Sequence, residues 1–251
     1  MRSPLAPHFK LIADMSPKTI DEREYMSHGP YTSVMGSLIY AMMYTRSDLS
    51  QAMSMISRYM HGPGKGHWEV VRWIFWYIKG TVDVELVFKK NDHGKQECKG
   101  YVDSDYVRDL DKHWSTIGMF TLSQAPMSWH CNLQFTVVFT MIEDEYMIST
   151  EVVKEAIWPL GLMDDLGINQ YFMKVHCDSM SAIYLAKNQV YHAKMKHINV
   201  RYHFVRDILE DGDIELKKIH TKNNPVDMHI KVISRVKFNH CKNLLCILPV
   251  V

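Results

Sequence analysis

The stretch Lys99-Gly-Tyr-Val-Asp-Ser-Asp-Tyr-Val-Arg-Asp109 decides the reading of this chain, because a short apolar strand ends there in carboxylates. Asp103, the first of them, is the anchor. Three later stretches each bring one more acid in a comparable local setting: Glu145 on a helix in Glu143-Asp-Glu-Tyr146, Asp178 after the strand Met173-Lys-Val-His-Cys177, and Asp227 in Asn224-Pro-Val-Asp-Met228. Four acids on four separate elements make a candidate metal cage, since carboxylates gathered without a cation repel and raise one another's pKa. Oxygen-only ligation favours magnesium or manganese over zinc.

Composition bounds the answer. At 251 residues, 47% apolar and 23% charged, the chain is long enough for two modest domains around a real core. No apolar run approaches the roughly 18 to 20 residues that cross a bilayer, and Met1-Arg-Ser-Pro-Leu-Ala-Pro7 lacks a signal-peptide core. An intracellular protein without a membrane partner is expected. The scattered cysteines Cys98, Cys131, Cys177, Cys241 and Cys246 contain no C-x-x-C pair, so they read as reduced, mostly buried thiols and not as a disulfide framework or zinc site. With 29 basic against 28 acidic residues, any nucleic-acid surface must be local. The 18 methionines read as core filling.

Residues 1–28, with Pro4, Pro7 and Pro17 and no sustained periodicity, read as an extended lead-in. A helical segment over 29–92 follows: Val34, Leu38 and Met42 form one stripe, and Leu49, Ala52, Met53, Ile56 and Met60 a second behind a cap at Ser47 or Asp48. Gly62-Pro-Gly64 ends it. A third helix, about His67 to Lys79, carries Trp68, Trp73, Phe75, Trp76 and Tyr77, read as a core seam in preference to a base-stacking platform. After a polar link at 91–95 the pattern becomes strand-rich over 98–233: strands at 98–103, 117–122 and around 127–140, a helix from about Ile142 that Pro159 should break or kink, a strand at 172–177, a helix at 179–187, a basic helical stretch at 194–209, a strand at 214–220 and a helix from Pro225. Residues 234–251 read as a tail.

From residue 98 onward this is the element order of a ribonuclease H-like mixed sheet with flanking helices, an α/β fold. The wording agrees. Tyr25-Met-Ser27, Gly36-Ser-Leu38, Ser57-Arg-Tyr-Met60, His67-Trp68, Tyr77-Ile-Lys-Gly-Thr81, Asp103-Ser-Asp105, Glu143-Asp-Glu-Tyr146, Cys177-Asp-Ser179, Lys196-His-Ile198, Val200-Arg-Tyr-His203 and Asn224-Pro-Val-Asp-Met228 are short matches in order along nearly the whole chain. Through them the chain resembles the carboxy-terminal part of the Pol polyprotein of copia-type long-terminal-repeat retrotransposons of plants. The resemblance implies a reverse-transcriptase connection or thumb segment followed by a ribonuclease H domain, with the polymerase core upstream; no Tyr-x-Asp-Asp is present. It maps Asp103, Glu145, Asp178 and Asp227 onto the family's catalytic carboxylates, which would hold two magnesium or manganese ions and hydrolyse the RNA strand of an RNA-DNA hybrid. Glu145 is preferred to Glu143 because the family's acid directly precedes an apolar or aromatic residue, here Tyr146. Lys194, Lys196, His197 and Arg201 are the candidate nucleic-acid contacts, and the ribose 2′-hydroxyl would tell RNA from DNA.

The departures from the family pattern point to a second reading, a decayed and inactive remnant with weak nucleic-acid binding. Arg108 stands where the family has a small glycine, Gln124-Ala125 replaces a glycine pair, and His229-Ile-Lys231 replaces Thr-Lys. The segment Met119-Phe-Thr121 is one residue short, which would flip the side chains that follow unless a bulge absorbs it. Other chemistries are excluded by pattern: Gly62-Pro-Gly-Lys-Gly66 lacks phosphate-loop spacing, and neither His-Glu-x-x-His nor Gly-x-Ser-x-Gly occurs.

Overall fold

Residues 3–6, 8, 9, 11–89, 97–103, 119–129, 141–168, 170–187 and 207–250 are described by the computed structural model, with only the backbone described at 13, 141–152, 182 and 185. The helices are α1 (Ile20–Ser27), α2 (Tyr31–Tyr44), α3 (Ser50–Ser57), α4 (Lys65–Lys79), α5 (Met141–Asp165), α6 (Met180–Lys187), α7 (Asp227–Ile230) and α8 (Arg235–Leu244). The strands are β1 (Val84–Leu86), β2 (Cys98–Val102), β3 (Met119–Leu122), β4 (Ala125–Trp129), β5 (Met173–Cys177), β6 (Ile214–Lys218) and β7 (Ile247–Pro249). Five of them form a mixed sheet in the order β4-β3-β2-β5-β6. The meander β2-β3-β4 is antiparallel, whereas β5 and β6 run parallel to β2.

Alternation in β2, β5 and β6 sends Cys98, Val102, Met173, Val175, Cys177, Ile214 and Leu216 to one face, where Val153, Ala156 and Met163 of α5 and Ile183 and Ala186 of α6 cover them. Position 100 on that face is a glycine, since a Cβ there would come within 2.9 Å of Val175 and 3.0 Å of Phe120. On the opposite face Tyr101, Met119 and Trp129 pack against a second core built by α2, α3 and α4. That core is completed from the far end of the chain by Val226, Met228, Ile230, Phe238, Cys241, Leu245 and Ile247. The sheet therefore lies between two apolar layers.

Several expectations are corrected. The lead-in contains α1, started by a reciprocal Thr19–Glu22 capping box, and buries Leu5 and Leu11. The stretch read as a tail is α8, capped by Ser234, and β7, which pairs antiparallel with β1. Its Phe238, Cys241 and Leu245 recur at helical spacing and face the core. Pro159 does not end α5, which continues to Asp165, because Val153 and Ala156 before the proline and Met163 after it are all held in the same apolar layer. The aromatic helix α4 buries Val70, Val71, Ile74 and Tyr77 and exposes Phe75 and Trp76. The polar link and the basic stretch at 194–206 lie outside the described residues.

Of the two outcomes open to the shortened β3, the bulge is found: pairing with β4 steps from Phe120–Ser128 to Thr121–Pro126, so one extra β4 residue is absorbed at Met127. The hairpin turn that follows is Ser123-Gln124, with φ of 49° and 73°. Two positive φ values are the geometry of the tight hairpin turn that favours Asn-Gly, and neither residue here is glycine. Gln124→Gly should therefore raise stability by about 1 kcal/mol in denaturant unfolding, by removing left-handed strain.

A buried polar network joins the helices of the second core. Arg46 donates to both oxygens of Asp48 at 2.9 Å, Tyr77 donates its hydroxyl to Asp48 at 2.5 Å, and Arg46 Nη2 reaches Thr81 Oγ1 at 2.7 Å. Asp48 is fully buried, and α7 packs on the 47–49 turn that carries it. Asp48→Ala leaves the guanidinium buried without its partner and should cost about 3 to 5 kcal/mol in denaturant unfolding.

Candidate functional site

The acids meet because of strand direction. Parallel β2 and β5 pair Val102 with Cys177, so Asp103 and Asp178, the next residue on each strand, emerge side by side at the same end of the sheet. The third acid comes from the other core. Asn224, which is buried, donates its side-chain amide to the Val102 carbonyl at 2.9 Å, tying the loop after β6 to the end of β2. Three residues on, Asp227 opens α7 beside Asp103. Glu145 lies on α5, and its side chain is outside what is described. Lys194, Lys196, His197 and Arg201 also lie outside the described residues, as do Asp105 and Arg108.

The three described acids differ in setting. Asp103 is 6% exposed and Asp227 fully buried, whereas Asp178 is half-buried. Thr221 donates to Asp178 Oδ2 at 3.0 Å and Lys218 to its backbone carbonyl, which fixes the carboxylate's direction at the rim. Two lysines serve the buried pair. Lys231 Nζ lies 2.5 Å from Asp103 Oδ2 and 3.1 Å from Asp227 Oδ1, and Lys237 Nζ contacts Asp227 Oδ2.

Burial pushes the Asp103 carboxyl up to about 8, helped by its hydrogen bond to Asp227 and the charge of Asp178, against the pull of Lys231. Burial would raise Asp227 as well, but the bond from Asp103 and the two lysines hold it below the usual carboxylate range. The two carboxyls titrate as a pair, Asp103 the member that is raised and Asp227 the member that is lowered. Burial would lower the Lys231 ammonium; the two acids outweigh it and raise it.

The donor chemistry fits a divalent cation: the groups that converge are carboxylate oxygens, and the ammonium of Lys231 already stands between Asp103 and Asp227 as a cation. No cluster of three or more His, Cys, Asp or Glu with metal-holding geometry occurs among the described residues. The sequence reading missed Asn224 as a tether and Lys231 and Lys237 as partners of the acids. Lys231 carried a usable signal, since it follows Asp227 by four residues, the spacing at which a helix brings side chains together.

No family model matches the chain. The retrovirus-related Pol polyprotein from transposon TNT 1-94 of Nicotiana tabacum is 44% identical over 244 residues, covering 97% of this chain and 18% of the polyprotein. The corresponding polyprotein from transposon RE2 of Arabidopsis thaliana is 32% identical over 250 residues, covering 99% of this chain and 17% of the relative. The chain thus spans less than a fifth of the length of these curated relatives. Among solved structures, the foamy viral protease-reverse transcriptase dRH in complex with double-stranded DNA aligns over 81% of this chain and 35% of its own, with 14% identity and a TM-score of 0.42.

In the protein without added metal, the Asp103 side-chain carbon followed by NMR should titrate near pH 8. Asp227→Asn should move that midpoint down, because it removes the neighbouring negative charge. The sign for stability follows: the folded protein keeps a proton that the unfolded chain releases at ordinary carboxylate pH, so the Asp103 contribution is lost as pH rises from about 4 towards 8.

Proposed function

The chain belongs to the Pol polyproteins of copia-type plant retrotransposons, of which it is a part, and on that premise we propose that it carries a ribonuclease H-like domain cleaving the RNA strand of RNA-DNA hybrids. The observation that carries the proposal is the placement of Asp103 and Asp178 at adjacent parallel strand ends, with Asp227 brought against Asp103 by a tethered helix. The sheet order β4-β3-β2-β5-β6, with α5 and α6 on one face, supports the ribonuclease H-like assignment.

Asp103, Glu145, Asp178 and Asp227 would hold two magnesium or manganese ions, which when bound would activate water and stabilise the leaving 3′-oxygen. The chain's own residues set up the site. Asn224 fixes the loop, Thr221 and Lys218 orient Asp178, and the apolar layers on both sheet faces keep water from Asp103 and Asp227. Lys194, Lys196, His197 and Arg201 would contact the hybrid's phosphates. The partner is the hybrid duplex, together with a polymerase core upstream in the full polyprotein. The proposed location is intracellular, in a cytoplasmic virus-like particle or the nucleus. Among the described residues no helix is long and apolar enough to cross a membrane.

A folded but inactive remnant is the second reading, favoured by the sequence departure at Arg108, where the family has a small glycine, and by lysines already paired with two of the acids. Hybrid cleavage with magnesium separates the two. The nuclease reading predicts cleavage that drops at least about a hundredfold in both Asp103→Asn and Asp178→Asn. Equal background in wild type and both variants would leave the remnant.

A further inference from the structure

Two ammonium groups reach a place from which water is nearly excluded. The side chains of Asp103 and Asp227 are 5% and 1% exposed, those of Lys231 and Lys237 24% and 29%. The lysine stems therefore run from the rim and turn their charged heads inward, the reverse of the usual arrangement in which the head seeks water. The reason is electrostatic: a carboxylate withdrawn from water loses its hydration, and a cation beside it offsets that loss. Both lysines arise close to the acid they serve. Lys231 follows α7 directly and Lys237 lies in the first turn of α8, whose start is fixed by the Ser234 cap.

We propose that Lys231 and Lys237 are the resident counter-ions of this site, and that a divalent cation enters by displacing Lys231 from between Asp103 and Asp227. The proposal rests on reading these acids as metal ligands. Lys231 is the exchangeable member because its single ammonium spans both carboxylates, so the same oxygens cannot serve it and a metal ion together. Its partly exposed stem gives it a route outward. Lys237 contacts Asp227 at Oδ2, while Lys231 faces Oδ1, and it can remain. The arrangement accounts for the stability of a buried acid pair before any metal binds, and it sets metal affinity by competition.

Manganese binding by calorimetry, with no nucleic acid present, tests this in the full chain alongside thermal melting in chelator and in manganese. Lys231→Met should bind manganese about tenfold more tightly than wild type, as expected for removal of one competing charge. It should also melt lower in chelator and show a larger rise with manganese. Lys231→Arg, which keeps the charge, should not gain affinity. If Lys231→Met fails to fold, Lys231→Gln replaces it with a neutral head of comparable reach. Manganese binding by wild type that is unchanged or weakened in the neutral variants would overturn the exchange while leaving the metal-site reading standing. Silence in wild type and variants alike would overturn both.

Discussion

Parallel pairing of β2 with β5, in the register that sets Val102 against Cys177, is the constraint on which the site depends. It delivers Asp103 and Asp178 to one sheet end, where like charges repel and burial disfavours ionisation. Everything around them answers that demand. Burial raises the Asp103 carboxyl, Asp227 is bonded to it, and two lysines enter, one just after α7 and one from α8. A slip of one residue between β2 and β5 would turn one of the two acids to the opposite face and separate them.

The acids come from separately built layers. Asp103 and Asp178 end strands whose apolar face lies on α5 and α6, while Asp227 heads a four-residue helix seated on α3 and the 47–49 turn. A helix so short has no stability of its own and takes its position from packing. Val226, Met228 and Ile230 supply that packing, and the Arg46–Asp48–Tyr77 network holds the surface beneath them. The helical segment and the site are thus mechanically connected: loosening the second core displaces Asp227 relative to Asp103, even though no residue of α2, α3 or α4 carries one of the acids.

Much of this was legible in the residues. The period-two pattern of Cys98–Val102 and Met173–Cys177 marked buried strands ending in acid, and the missing residue in Met119-Phe-Thr121 left either flipped side chains or a bulge, of which the bulge is found opposite it. What escaped was long-range. Residues 235–249 are short and mixed in pattern, and only pairing with β1 and burial against α2 to α4 make them helix and strand. Pro159 is a strong local breaker overruled by packing on both sides. Asn224 and Lys231 were visible as residues, but their roles follow from contacts 122 and 128 positions away, which no local pattern encodes.

The central claim is that Asp103, Asp178 and Asp227 form a divalent-cation site closed by lysine in the absence of metal. Anomalous diffraction from crystals soaked in manganese tests it most directly. The account predicts a manganese peak bounded by Asp103 and Asp227, with Lys231 Nζ withdrawn from both carboxylates. A peak confined to other acids, with Lys231 still bridging Asp103 and Asp227, would contradict it.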